Sequence, residues 1–123
     1  MVLCDTNVII ELLKGNNKVL EELDKIGFEN IIITSITCME IYYGALNNRE
    51  LKKLRKSLSD INTIHLDNEI SKIAEDLIIK YANSHNLEIP DALIAASAIA
   101  EEIPMFTYNI KDFQYIKNLN LHK

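Results

Sequence analysis

Six polar side chains stand where apolar runs begin or end, and their types outline one acidic site. Asp5 and Asn7 follow Val2-Leu3-Cys4, and Glu40 is expected in the first turn of the helix after the run Asn30–Thr34. Asp91 opens an alanine-rich stretch, and Asn109 and Asp112 follow Pro104-Met105-Phe106-Thr107. Carboxylates that converge without a basic partner do not all stay ionised unless a cation neutralises them. All-carboxylate ligation selects hard ions, so Mg²⁺ or Mn²⁺ is favoured over Zn²⁺. One or two such ions can activate water for phosphodiester cleavage, and nearby helix N-termini would favour a phosphate.

Each of these residues also has a plainer reading. Asp5, Thr6 and Asn7 are all good helix N-caps. Thr37 and Glu40 spell the capping box T-x-x-E, and Asp91 after Pro90 suits a helix dipole. Asn109 and Asp112 are ordinary turn residues. Singly, the plainer reading is preferred each time. Jointly, a shared site is preferred if the strands run parallel, with Asp5 as a ligand and Thr6 or Asn7 left to cap the first helix.

The elements that must position these groups follow from hydrophobic patterning. Val2–Cys4, Asn30–Thr34 and Pro104–Thr107 read as short buried strands. Helical spacing joins Val8, Ile9, Leu12 and Leu13, and then Val19, Leu20, Leu23 and Ile26 up to a C-terminal Gly27. A third helix, opened by Ser35 or Thr37, is expected to run to about Leu46 with Ile36, Met39, Tyr43 and Leu46 on one side. Glu50–Leu58 is helical and carries Arg49, Lys52, Lys53, Arg55 and Lys56 around it. Ile61–Leu66 is an edge strand or an extended connector. The longest stripe, Ile70 to Tyr81, predicts a helix over 68–84 capped by Asp67 or Asn68. The near-uniform apolarity of the stretch after Pro90 predicts a helix buried all round. Leu119–Leu121 could add a short edge strand. The alternation predicts an α/β domain with a central parallel sheet flanked by helices.

Composition sets outer bounds. A chain of 123 residues with 48% hydrophobic and 25% charged residues is expected to form one domain, residues 1–123. No apolar run reaches transmembrane length and no secretory signal is visible, so the cytoplasm is the expected compartment. Cys4 and Cys38 form no ligand spacing with His65, His85 or His122, and both read as buried reduced thiols. The histidines receive no role. The net charge of −5 argues against a general nucleic-acid binder, although carboxylates gathered for a cation lower it by themselves. The three glycines form neither a dinucleotide fingerprint nor a phosphate-binding P-loop.

Four segments together carry a family resemblance: Leu3-Cys-Asp5-Thr-Asn7, Ser35-Ile-Thr-Cys-Met-Glu40-Ile-Tyr-Tyr-Gly44, Ile89-Pro-Asp91-Ala-Leu-Ile-Ala-Ala96 and Thr107-Tyr-Asn109-Ile-Lys-Asp112-Phe113. In this order they resemble a PIN domain, and more closely the VapC-type toxins of toxin–antitoxin pairs. The resemblance implies a Rossmann-like sheet and a Mg²⁺- or Mn²⁺-dependent endoribonuclease. It also implies a homodimer and a cognate VapB-type antitoxin whose segment blocks the acidic site. Asp5, Glu40 and Asp91 fall on the family's three core acids. The fourth falls on Asn109, a departure for which Asp112 could compensate, and the number of metal ions stays open. By the same resemblance Asp5 and Asp91 hold a metal, Glu40 orients or deprotonates water, and Thr6 and Asn7 support the site. The Arg49–Lys56 cluster is either an RNA or antitoxin contact or a solvated helix face. Three other readings are an RNA-processing nuclease that is not a toxin, a non-catalytic PIN-like binding module, and a phosphoacceptor receiver domain. The receiver reading ranks low because Asp5 lacks an acidic neighbour.

Overall fold

The computed structural model describes residues 1–123. Four strands, β1 (Val2–Cys4), β2 (Ile31–Thr34), β3 (Asn62–Ile64) and β4 (Met105–Phe106), form one sheet in the order β3-β2-β1-β4. All three pairings are parallel, with Val2 opposite Ile31, Leu3 opposite Met105 and Ile33 opposite Thr63. The expected three core strands are present, and the uncertain stretch 61–66 supplies β3 at the edge. At the other edge, residues 119–121 contribute a single parallel bridge between Leu121 and Met105.

Successive side chains of a strand point to opposite faces, and the core divides accordingly. Leu3, Ile64 and Met105 face one cluster, which they build with α5 (Asn68–His85) and α6 (Ile89–Glu101). Val2, Cys4, Ile31, Ile33 and Phe106 face the other. That second cluster is completed by α1 (Thr6–Leu13), α2 (Asn17–Ile26), α3 (Ser35–Tyr43) and α4 (Asn48–Leu58). The alanines of α6 let it approach α5 and the sheet closely: Ala92, Ile94, Ala95, Ala96, Ser97 and Ala98 are all buried. The one hydroxyl among them, on Ser97, donates to the Leu93 carbonyl at 2.8 Å and so carries no unpaired polar cost. No helix is long and apolar enough to cross a membrane.

Four local expectations need correction. Asp5 itself is the N-cap of α1, accepting from the Thr6 amide, so neither Thr6 nor Asn7 does the capping. Thr34 caps α3 by accepting from the Thr37 amide at 3.2 Å, and Glu40 lies in the second turn rather than in a capping box. The buried positions of α3 are Thr37 and Ile41, whereas Met39 and Tyr43, and Leu46 in the turn beyond, are exposed. A threonine can face inward there because its hydroxyl meets that of Thr6 at 2.9 Å. Cys38 is only half-buried, whereas Cys4 is buried as expected.

Candidate active site

The chain leaves β1 toward β2 on one side and returns through α6 to β4 on the other. The β1/β4 boundary is therefore the point where strand order reverses. Ligands of open α/β sheets bind in the crevice outside the strand ends at such a point. Asp5 follows β1 and Thr107 follows β4, and the two segments are stitched together there. The Asp5 amide donates to the Phe106 carbonyl at 2.9 Å. Thr107 Oγ1 donates to Asp5 Oδ2 at 2.8 Å and accepts from the Asn109 amide at 3.0 Å.

Asp5 is only 4% exposed. Burial pushes its carboxyl above the usual range, an effect reinforced by Glu40 and Asp112 and opposed by the hydrogen bonds from Thr107 and Thr6. Its Oδ1 takes the Thr6 amide at 2.8 Å while Oδ2 takes Thr107, so capping and presentation use different oxygens. A carboxylate has about four lone-pair sites, so both oxygens keep capacity for a cation.

Glu40 is brought to Asp5 through one side chain. Thr6 Oγ1 donates to Glu40 Oε1 at 2.7 Å and shares a hydrogen bond with the buried Thr37 hydroxyl. Asp91, in the first turn of α6, arrives from the other face of the sheet. It is pushed up to about 6, first by burial and then by the charges of Asp5, Asp112, Glu40 and Glu88. Asp91 and Asp112 line one small cavity of about 70 Å³ together with His85 and Tyr115. The predicted acids thus gather around one edge, as parallel strands require. Asn109 contributes its backbone amide to Thr107, and its side chain is exposed. Asn7 lines a neighbouring cavity, and its buried carboxamide oxygen has no hydrogen-bond partner.

Patterning did not reveal Thr37 and Thr107, whose hydroxyls organise the site, or His85 and Tyr115, whose rings stack at 4.0 Å beside Asp91. A hydroxyl at a strand end was the available signal at Thr107. The T-x-x-E spacing marks Thr37 only as a cap, and nothing in the spacing marks His85 or Tyr115. The Cys4 thiol, pushed up to about 12 by burial and by Asp5, stays protonated and inert.

The donor set fits a hard divalent ion. Every candidate ligand is an oxygen, and the protein's two ion pairs, Lys14–Glu11 and Lys25–Glu22, lie elsewhere. The acids are therefore left without a protein counter-charge, and their mutual repulsion adds to burial in raising the Asp91 carboxyl. No three of them are drawn together tightly enough to form a cage by themselves.

A family model described as PIN domain matches residues 2–119. Ribonuclease VapC3 of Methanocaldococcus jannaschii is 37% identical over 93 residues, covering 75% of this chain and 92% of that protein. Ribonuclease VapC19 of Mycobacterium tuberculosis is 28% identical, covering 97% of each. Among solved structures, a toxin–antitoxin complex from Klebsiella pneumoniae superposes with a TM-score of 0.82 at 30% identity, covering 97% of this chain and 95% of the other. VapBC2 from Rickettsia felis, bound to a DNA fragment of its promoter, gives 0.83 at 27% identity and covers 99% and 98%. With the acids of all four motif segments gathered at one sheet edge, the chain belongs to the PIN-domain family, in its VapC branch.

Proposed function

We propose that this protein is a VapC-type toxin: a Mg²⁺- or Mn²⁺-dependent endoribonuclease held in check by a VapB-type antitoxin. The observation that carries the chemistry is the pair Asp5 and Asp91, two partly or wholly buried carboxyls at the switch point with raised proton affinity and no basic partner. Asp5, Glu40 and Asp91 would hold the ion. Bound there, a divalent ion supplies the positive charge that activates water and steadies the leaving oxygen of a phosphodiester. Thr6 fixes the Glu40 carboxylate so that Oε2 remains free to orient or accept a proton from the attacking water. Thr107 keeps Asp5 aimed at the crevice. Asp112 adds negative charge where Asn109 supplies none.

The surface supports protein partners. A groove of about 360 Å³, lined by Ile10, Leu13, Ile41 and Leu54 among others, opens beside Glu40. An antitoxin segment lying in it with apolar side chains would end at the acids, where a basic residue finds ready counter-charge. Tyr43 and Leu46, 94% and 85% exposed, leave further apolar surface for the antitoxin or a second copy in a homodimer. Arg49, Lys52, Lys53, Arg55 and Lys56 are all exposed and make no ion pair, so α4 can meet the RNA backbone.

The test is RNA cleavage by purified protein with Mg²⁺ or Mn²⁺, comparing wild type with Asp5→Asn and Asp91→Asn. Cleavage by wild type alone, abolished by chelation and by the antitoxin encoded beside the gene, is expected. Equal cleavage by all three proteins would sink the reading.

A further inference from the structure

We propose that the cavity beside the acidic site holds an unstacked guanine of the substrate, an inference that rests on the ribonuclease reading above. The cavity measures about 340 Å³ and is lined by Asn7, Glu11, Asn16, Lys18, Val19 and Tyr108. One wall comes from the two segments that carry the chemistry, and the start of α2 forms the other. Asn7 lies two residues after Asp5, and Tyr108 immediately follows the Thr107 that holds Asp5. A base seated here therefore belongs to a nucleotide next to the phosphate at the acids.

Its lining has the parts that recognition of a single-stranded base requires, a stacking ring and edge-directed polar groups. Tyr108 is 43% exposed, and its partner within the protein is Phe106, met at an interplanar angle of 66° with centroids 5.2 Å apart. That contact leaves ring surface for a base. The loop does not swing freely, because the Asn109 amide is tied to Thr107 Oγ1.

The polar groups favour one base over the others. Glu11 keeps acceptor capacity beyond its long contacts to Lys14 (3.8 Å) and the Asn16 carboxamide (3.3 Å), and the buried Asn7 oxygen lacks any donor, a cost that a bound N–H would remove once the carboxamide turns outward. Two acceptors call for two adjacent donors. Guanine presents N1–H and its 2-amino group side by side, whereas adenine and cytosine pair one amine with an acceptor and uracil offers a single N–H. The Lys18 amine makes no ion pair and remains available to O6 or a phosphate.

The direct test needs no catalysis. Metal-free ¹⁵N-labelled protein is titrated with the four nucleoside 5′-monophosphates and with ribose 5-phosphate, following the amides of Asn7, Lys18 and Tyr108. Guanosine monophosphate should bind tightest. Tyr108→Ala should weaken it about 10-fold, as loss of one stacking partner does, and Tyr108→Phe should restore it. In cleavage reactions Tyr108→Ala should lose a guanine preference at one fixed offset from the cut. Guanosine monophosphate binding no better than ribose 5-phosphate or another nucleotide, or unchanged affinity in Tyr108→Ala, overturns the proposal. Nucleotide binding without RNA cleavage would overturn the ribonuclease reading and leave the pocket standing. Cleavage without guanine preference or binding would do the reverse.

Discussion

The two halves of the acidic site are built on opposite terms. On the α1–α3 side, every carboxylate is tied down: both oxygens of Asp5 accept hydrogen bonds, and Glu40 is held by Thr6, itself steadied by Thr37. On the α6 side, no hydrogen bond holds the Asp91 carboxyl, which is repelled by Asp5, Asp112, Glu40 and Glu88. Burial raises the proton affinity of both aspartates, but only Asp5 has donors that offset it. One half is pre-organised for a cation by the protein. The other is left to be organised by the cation. A rigid half with a loose half also fits the lack of any closed three-carboxylate cage.

The sharpest way to break this comparison is to neutralise each aspartate in turn. Asp5→Asn and Asp91→Asn should both lower RNA cleavage by more than about 100-fold, beyond the loss that follows removal of a mere supporting partner. Their effects on folding should differ in sign. Asp5→Asn replaces an acceptor of two hydrogen bonds, one of them the Thr107 bridge between strand ends, and should lower the melting temperature of the metal-free protein. Asp91→Asn removes a charge that its neighbours repel and should raise it at pH 7.5. Melting both variants by circular dichroism with excess chelator decides the matter; shifts of the same sign would mean that the halves are not built differently.

Thr107→Val tests the rigid half with a smaller effect. It removes a charge-assisted hydrogen bond to a buried carboxylate while keeping the side chain's shape. The loss should be about 2 kcal/mol of stability in denaturant unfolding at neutral pH. Because that hydrogen bond lowers the proton affinity of Asp5, metal binding should also need a higher pH in the variant. A loss below about 0.5 kcal/mol would show that water replaces the threonine without penalty.

How much of this could be read in the sequence depends on whether a feature is local. The buried strands Val2–Cys4 and Ile31–Thr34 and the alanine-rich α6 were legible because apolar runs want burial wherever they occur. The acids were legible as a group, since Asp5 follows a strand, Asp91 opens a helix, and Glu40 and Asp112 lie within two turns of a strand end. At Asp5 the sequence sets cap against ligand, and the two oxygens make the roles compatible. What could not be read was any contact whose partner is distant. Thr107 meets Asp5 across 102 positions, and Thr6 meets Glu40 across 34. The stripe on α3 misled for a related reason. Periodicity reports which side chains favour burial, but no element of this chain covers Tyr43 or Leu46, and Thr37 takes the inward position because another hydroxyl awaits it.

The smallest effect is the most specific to the loose half, because it turns on pH. Asp91 titrates near its ordinary value of 3.8 when unfolded and at about 6 when folded. The folded protein therefore binds the proton more tightly, and stability from this group is fully present below about pH 4 and lost as pH rises through about 6. The direction is opposite to that of a salt-bridged aspartate. Since the carboxyl is partly exposed and screened by solvent, the loss should be about 1 kcal/mol. Other groups titrate in the same range, so the informative quantity is the difference between wild type and Asp91→Asn. Without metal, the variant's advantage should be near zero at pH 4 and should grow to a few degrees by pH 7.5. Added Mn²⁺ should stabilise wild type increasingly over that same window, because cation and proton compete for one carboxylate. A variant advantage that stays constant from pH 4 to pH 7.5 would mean that burial and neighbouring charges do not raise the proton affinity of Asp91, and the contrast between the two halves would then rest on hydrogen bonding alone.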